Sequence, residues 1–110
     1  MSLERIFKAL MALGLSEREV PVYFYIATKG PALARNIISN LPIKKRMAYR
    51  ILKNLQVKGI VIVSKNNPTE YFALPFEEVL SMLIEQRNKQ AKLIKEKKEE
   101  LIHNWKEQGK

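Results

Sequence analysis

Leu41-Pro42-Ile43-Lys44-Lys45-Arg46-Met47-Ala48-Tyr49-Arg50-Ile51-Leu52-Lys53-Asn54-Leu55-Gln56-Val57-Lys58-Gly59 is the stretch on which the fold turns. Ala48, Ile51, Leu52 and Leu55 recur at helical spacing and predict one amphipathic helix over Lys44–Lys58. Gly59 stands where a left-handed C-cap belongs. Opposite the apolar stripe, Lys45, Arg46, Tyr49, Arg50 and Lys53 share one face. Lys44, Lys45 and Arg46 crowd the helix N-terminus, the positive end of the macrodipole, where each cation costs about 0.3–1 kcal/mol. Folding does not reward that placement. A row of phosphates does, because each contact releases counterions.

Working outward from this helix, Leu3, Ile6, Phe7 and Leu10 predict a short first helix that Gly14 ends. Ser16-Glu17-Arg18-Glu19 reads as a capping box opening a second helix, which runs through Val20, Tyr23, Phe24, Ile26 and Ala27 to Lys29-Gly30-Pro31. Pro21 lies in its first turn, where a missing N–H costs little. A third, short helix is expected from about Pro31-Ala32, with Leu33, Ile37 and Ile38 inward, breaking at Asn40-Leu41-Pro42. Beyond Gly59, the β-rich runs Ile60–Lys65 and Thr69–Leu74, joined by Asn66-Asn67-Pro68, predict a hairpin. Pro75 opens a last helix with Glu77 and Glu78 in its first turn.

A helix pair followed by a hairpin is the order of a winged helix-turn-helix. The expected class is mainly α with a small β-hairpin and a long C-terminal helix, with residues 1–75 as the winged unit and 76–110 as a dimerisation helix. In such folds the second helix of the pair reads base edges in the major groove. The predicted DNA contacts are Lys44, Lys45, Arg46, Tyr49, Arg50 and Lys53 on helix 44–58. Lys65, Asn66 and Asn67 join them at the tip of the wing, 60–74, near the backbone or minor groove.

Charge supports this assignment. The chain of 110 residues carries a formal net charge of +9. Between Val20 and Thr69 there is no acid, while Lys29, Arg35, Lys44, Lys45, Arg46, Arg50, Lys53, Lys58 and Lys65 all fall inside that window. Solvated surfaces mix signs, so a one-sign segment points to a polyanion, here double-stranded DNA. There is no cysteine and one histidine, His103, so neither thiolate nor histidine-cluster metal sites are expected, and no cofactor. No run reaches the roughly 20 apolar residues of a membrane span, and the expected location is the cytoplasm, on the nucleoid.

Leu13-Gly14-Leu15-Ser16-Glu17, then Val22-Tyr23, then Lys29-Gly30-Pro31-Ala32 resemble the opening of the TrmB family of archaeal transcriptional regulators. Tyr49-Arg50-Ile51-Leu52-Lys53-Asn54-Leu55 with Lys58-Gly59 is similar to that family's recognition helix, and Tyr71-Phe72-Ala73-Leu74-Pro75 to its second wing strand. The resemblance spans roughly residues 10–85 and implies a winged helix that binds an operator through helix 44–58. Members often continue into a sugar-binding domain, whereas this sequence stops after one more helix, so no effector pocket carries over and no small-molecule effector is expected. Pro42-Ile43-Lys44-Lys45-Arg46 departs from the family's polar helix start, so no base preference carries over either.

Phe76 to Gln108 lacks glycine and proline and predicts one helix of roughly 50 Å. Ile84, Arg87, Ala91, Ile94, Lys98, Leu101 and Trp105 alternate at three and four, a coiled-coil seam with two charged positions. An antiparallel or splayed homodimer is expected, with Leu3, Phe7, Leu10, Ile84, Ala91, Ile94, Leu101 and Trp105 at its interface. The competing single helix relies on exposed charge pairs worth a few tenths of a kcal/mol each, too little to keep Ile94, Leu101 and Trp105 in water.

Other functions fit less well. An enzyme needs paired carboxylates, a histidine constellation or a phosphate loop, and the sequence offers none. A winged helix used for protein contact in a transcription or replication assembly often loses the basic recognition face and keeps acids there, and the acid-free window from Val20 to Thr69 argues against that. A non-specific nucleoid protein shares every basic feature, and only the ratio of specific to random affinity separates it.

Overall fold

The computed structural model describes residues 3–109. Along them run α1 (Leu3–Ala12), α2 (Glu19–Lys29), β1 (Ala32–Leu33), α3 (Ala34–Asn40) and α4 (Lys45–Val57). They are followed by β2 (Val61–Val63), β3 (Glu70–Ala73), α5 (Phe76–Glu96) and α6 (Lys98–Gln108).

Local signals place most of these boundaries. The Ser16 hydroxyl accepts the Glu19 N–H at 3.1 Å while Glu19 Oε1 accepts the Ser16 N–H at 2.9 Å, the expected capping box. α1 and α4 end alike. Gly14 (φ 115°) donates to Met11 O and Leu15 to Leu10 O; Gly59 (φ 79°) donates to Gln56 O and Ile60 to Leu55 O. Both are Schellman motifs, which need a left-handed residue that glycine adopts without strain. The apolar pairs they lock, Leu10 with Leu15 and Leu55 with Ile60, are all buried.

The core forms where α2, α3 and α4 meet the sheet, around Val20, Val22, Ile26, Ile37, Leu52 and Leu55. Tyr23 Oη donates to Leu74 O at 2.9 Å, tying α2 to the chain just before α5. Burial, reinforced by the Glu77 charge, pushes its phenol up to about 12. Val79 and Leu83 of α5 lie in this same core, so the long helix is rooted in the winged unit for its first two turns.

Three features differ from expectation. Ala32 and Leu33 do not begin a helix but form β1, pairing antiparallel with Tyr71 and Glu70 in a three-stranded sheet ordered β1-β3-β2. α3 starts after them, with Asn36 Oδ1 accepting the Leu33 N–H at 3.2 Å. Next, the long C-terminal helix is interrupted at Lys97 (φ −100°, ψ 10°), without glycine or proline. Around it, Lys95 in the last turn of α5 and Glu99 and Glu100 in the first turn of α6 suit the dipoles of two separate helices, whereas Glu96 and Lys98 at the junction itself oppose them, so charge does not account for the break. Finally, Arg87 is no seam residue, because its Nη2 donates to Ala12 O at 3.0 Å and holds α1 against α5.

From Ile84 to Gly109 every residue is exposed. The molecule measures 54 × 32 × 26 Å with a radius of gyration of 17.6 Å. A compact chain of this length would have about 13 Å. The excess is the projecting arm made of late α5 and α6.

Candidate nucleic-acid interface

α4 presents its two faces as its pattern dictates. Ala48, Ile51, Leu52 and Leu55 are buried, while Lys45, Arg46, Tyr49, Arg50 and Lys53 face solvent. Lys44 sits at the N-cap in extended conformation and supplies no side-chain cap. Among the described residues, none of the cations on α4 has a carboxylate within salt-bridge distance. The positive potential of this face therefore stands unneutralised at the positive end of the α4 dipole.

The exposed side chains fall into two groups. Lys44, Arg46 and Arg50 line a shallow concavity beside Met47, which half-buried apolar packing holds in place. Tyr49, 46% exposed, turns to the other flank and lines a groove with Asn67 and Pro68 of the wing loop. Lys45 and Lys53 are exposed on α4 outside both concavities.

The wing loop is organised by Ser64, whose hydroxyl accepts the Glu70 N–H at 3.0 Å. Lys65 is exposed there. The Asn66 side-chain amide is engaged within the loop, donating to Glu70 Oε1 at 3.4 Å, and Asn67 is the amide that shares the groove with Tyr49.

Residues 10–77, more than half of the sequence, match the family described as sugar-specific transcriptional regulator TrmB. The chain belongs to the TrmB family. Among solved structures it is similar to TrmBL2, an archaeal chromatin protein whose structure is described as showing a novel mode of DNA binding, with a TM-score of 0.81 at 20% identity. The match covers 96% of this chain and 41% of that one, so this sequence spans less than half of TrmBL2. The transcriptional regulator Tm0710 from Thermotoga maritima matches with a TM-score of 0.59 at 20% identity, over 93% of this chain and 79% of its own. A MarR family transcription regulator matches with a TM-score of 0.59 at 18% identity, over 96% and 74%. At these identities the structural matches establish the winged-helix fold. A comparison with curated protein sequences finds no match.

Within this TrmB-family fold one residue escaped the sequence-based assignment. Arg35, in the first turn of α3, lines the same groove as Tyr49 and Asn67. Its place in the acid-free window was visible in the sequence. Its approach to the wing was not, because that depends on β1 pairing with β3.

Lys58, also in that window, serves the fold. Its Nζ ion-pairs with the buried Glu19 carboxylate and donates to Gly14 O at 3.2 Å. Burial alone would raise the Glu19 pKa, but hydrogen bonds from Lys58 and Ser16 and the Lys58 charge outweigh it and hold the carboxyl below its ordinary value. The pair joins the start of α2 to the end of α4.

The residues expected at a dimer contact are divided by the structure. Leu10, 1% exposed, belongs to the chain's own core, because α1 folds back over α2. Phe7 is half-buried, edge-on to Phe24 with ring centroids 5.5 Å apart. Leu3, Ile84, Ala91, Ile94, Leu101 and Trp105 are exposed. No helix among the described residues is long and apolar enough to cross a membrane.

Proposed function

We propose that this TrmB-family chain regulates transcription by binding duplex DNA as a homodimer, with α4 in the major groove and the wing loop against the sugar-phosphate backbone. The observation that carries this reading is the solvent face of α4, which holds Lys45, Arg46, Arg50 and Lys53 with no carboxylate partner. Arg46 and Arg50 are suited to bidentate contacts with guanine edges; Lys44, Lys45, Lys53, Lys65 and Arg35 are suited to phosphates, and Tyr49 and Asn67 to a strand lying between α4 and the wing. The functional division of the chain lies within α5, past its core-bound turns, rather than at residue 75. Leu3, Ile84, Ala91, Ile94, Leu101 and Trp105 form the proposed dimer contact. The single-chain fold leaves Ile94 61%, Leu101 48% and Trp105 79% exposed, too much apolar surface on one arm for a solitary helix.

Titration of duplex DNA at several salt concentrations tests the DNA reading. A dimer that neutralises about six to ten phosphates gives a plot of log K against log salt with a slope near −5 to −9. Absence of binding at low salt, or a flat plot, refutes it.

The similarity to an archaeal chromatin protein favours a second form of the same chemistry, in which the dimer coats DNA with little regard for sequence. Comparing affinity for genomic fragments selected by binding with that for random duplex separates the two forms. A regulator shows a ratio of at least about 10³; a coating protein shows a ratio near unity.

A further inference from the structure

A cleft of about 350 Å³ opens where the α1–α2 turn, the end of α4 and the middle of α5 meet. Leu13 and Leu83 supply apolar wall, and Lys58, Gln86, Arg87 and Gln90 supply polar groups. The cleft is independent of the basic face of α4, none of whose proposed DNA contacts line it.

The two cations in the cleft differ in their partners. Lys58 is neutralised by Glu19. Arg87 is not: its one described bond is to the neutral Ala12 carbonyl, through Nη2, and among the described residues no carboxylate lies within 4.0 Å. A guanidinium has five N–H donors in a planar fork, so most of its capacity is unused by the fold. Gln86 and Gln90 lie one turn apart on α5, and their amides make no hydrogen bond among the described residues. A concave site with one uncompensated fixed cation, two free amides and an apolar wall matches the needs of a small organic anion.

We propose that this cleft binds the carboxylate or phosphate group of a small metabolite. Arg87 takes the oxyanion with its fork, Gln86 and Gln90 hydrogen-bond neighbouring hydroxyl or carbonyl groups, and Leu13 and Leu83 receive the apolar part. The ligand would lie between Lys58, which anchors the end of α4, and Arg87, at the base of the arm, touching both the DNA-reading and the dimerising parts of the chain. This departs from the expectation of no small-molecule effector, which rested on the family's sugar-binding domain; these six residues of the cleft span positions 13 to 90 and meet only in the fold.

Calorimetric titration of the full chain with inorganic phosphate and, separately, with acetate tests the site, chloride serving as the competing anion. The amide signals of ¹⁵N-labelled protein locate the binding. Saturable binding of one anion per chain is expected, with the Gln86 and Gln90 side-chain amides shifting. The stronger of the two probes identifies the oxyanion class. Arg87→Met is expected to weaken binding about tenfold or more, the loss of a charge-assisted hydrogen bond. Because that change also breaks the Ala12 contact, Gln90→Leu, at an exposed position, provides a variant that keeps the fold, and it should weaken binding by a few-fold. Lys89→Met, whose lysine pairs with Glu85 outside the cleft, should leave binding unchanged. Shifts confined to residues 44–53, or equal losses in Arg87→Met and Lys89→Met, would show diffuse attraction to a basic protein and overturn the proposal. So would an absence of saturable binding by either anion.

Discussion

Glu19 has more partners than any other carboxylate described. It caps α2 through Ser16, pairs with Lys58, and is buried at the junction of α2 and α4. Its pKa is lowered by folding, so its stabilisation is complete above the ordinary value of 4.5 and is lost as pH falls through the lower folded value. Lys58→Met leaves the carboxylate buried without its cation and should cost about 2 kcal/mol at neutral pH by urea denaturation. Burial then raises the Glu19 pKa in the variant, so the gap between variant and wild type should narrow as pH drops toward 4. A gap that stays constant with pH would mean the loss comes from elsewhere. The proposed DNA contacts belong to this scale as well. Arg46→Ala and Arg50→Ala should each weaken binding by about 1–3 kcal/mol where they read a base. Lys53→Ala, Lys65→Ala and Arg35→Ala should weaken all sequences alike and reduce the salt slope by about one each. If Arg46 and Arg50 variants bind as the wild type does, α4 is not the reading helix.

Among the elements, α4 and the arm differ in how fully local sequence defines them. The stripe of α4, its Schellman end at Gly59 and its solvent face all follow from residues within one helix length, and helix and hairpin both appear where the pattern puts them. β1 does not, because two residues pair only when Tyr71 and Glu70, nearly 40 positions on, are brought beside them. In the arm, the heptad-like spacing across residues 84–105 concealed a change of helix at Lys97, where no glycine or proline divides α5 from α6. Truncation after Gln90 keeps the buried Val79 and Leu83 and the Arg87–Ala12 bond while removing Ile94, Leu101 and Trp105. The shortened chain should remain folded by circular dichroism and sediment as a monomer. It should bind a two-half-site duplex about 10²-fold or more weakly, through loss of the tethered second domain. Undiminished affinity would remove the arm from the mechanism.

For the whole molecule, the question is what covers the arm. Trp105 is the sole tryptophan and is 79% exposed in the single chain, so its fluorescence reports assembly directly. Emission should be blue-shifted at micromolar concentration and move to the red on dilution as dimers dissociate; an emission maximum independent of concentration from nanomolar to micromolar, in a chain that sediments as a monomer, refutes the homodimer. With two copies related by a two-fold axis, the α4 helices are held at a fixed separation. Footprints should then show dyad-related half-sites about 10 base pairs apart, or a multiple of that.

The sequence by itself determined that α1, α2 and α4 are helical, where α2 opens and where α1 and α4 stop, and which face of α4 is basic. Each of these depends on residues within a few positions of one another: Ser16 with Glu19, Leu55 with Gly59, Lys45 with Lys53. Only the tertiary structure decided that Leu10 is core, that Lys58 neutralises Glu19 rather than facing solvent, that Arg87 ties α1 to α5, and that Arg35 meets the wing. Those outcomes depend on partners 13 to 75 positions away, such as Tyr23 beneath α1 or Ala12 beneath Arg87. Periodicity records which face of an element is apolar. It does not record which of several apolar or basic faces will meet, because that is set by the packing of whole elements around one core.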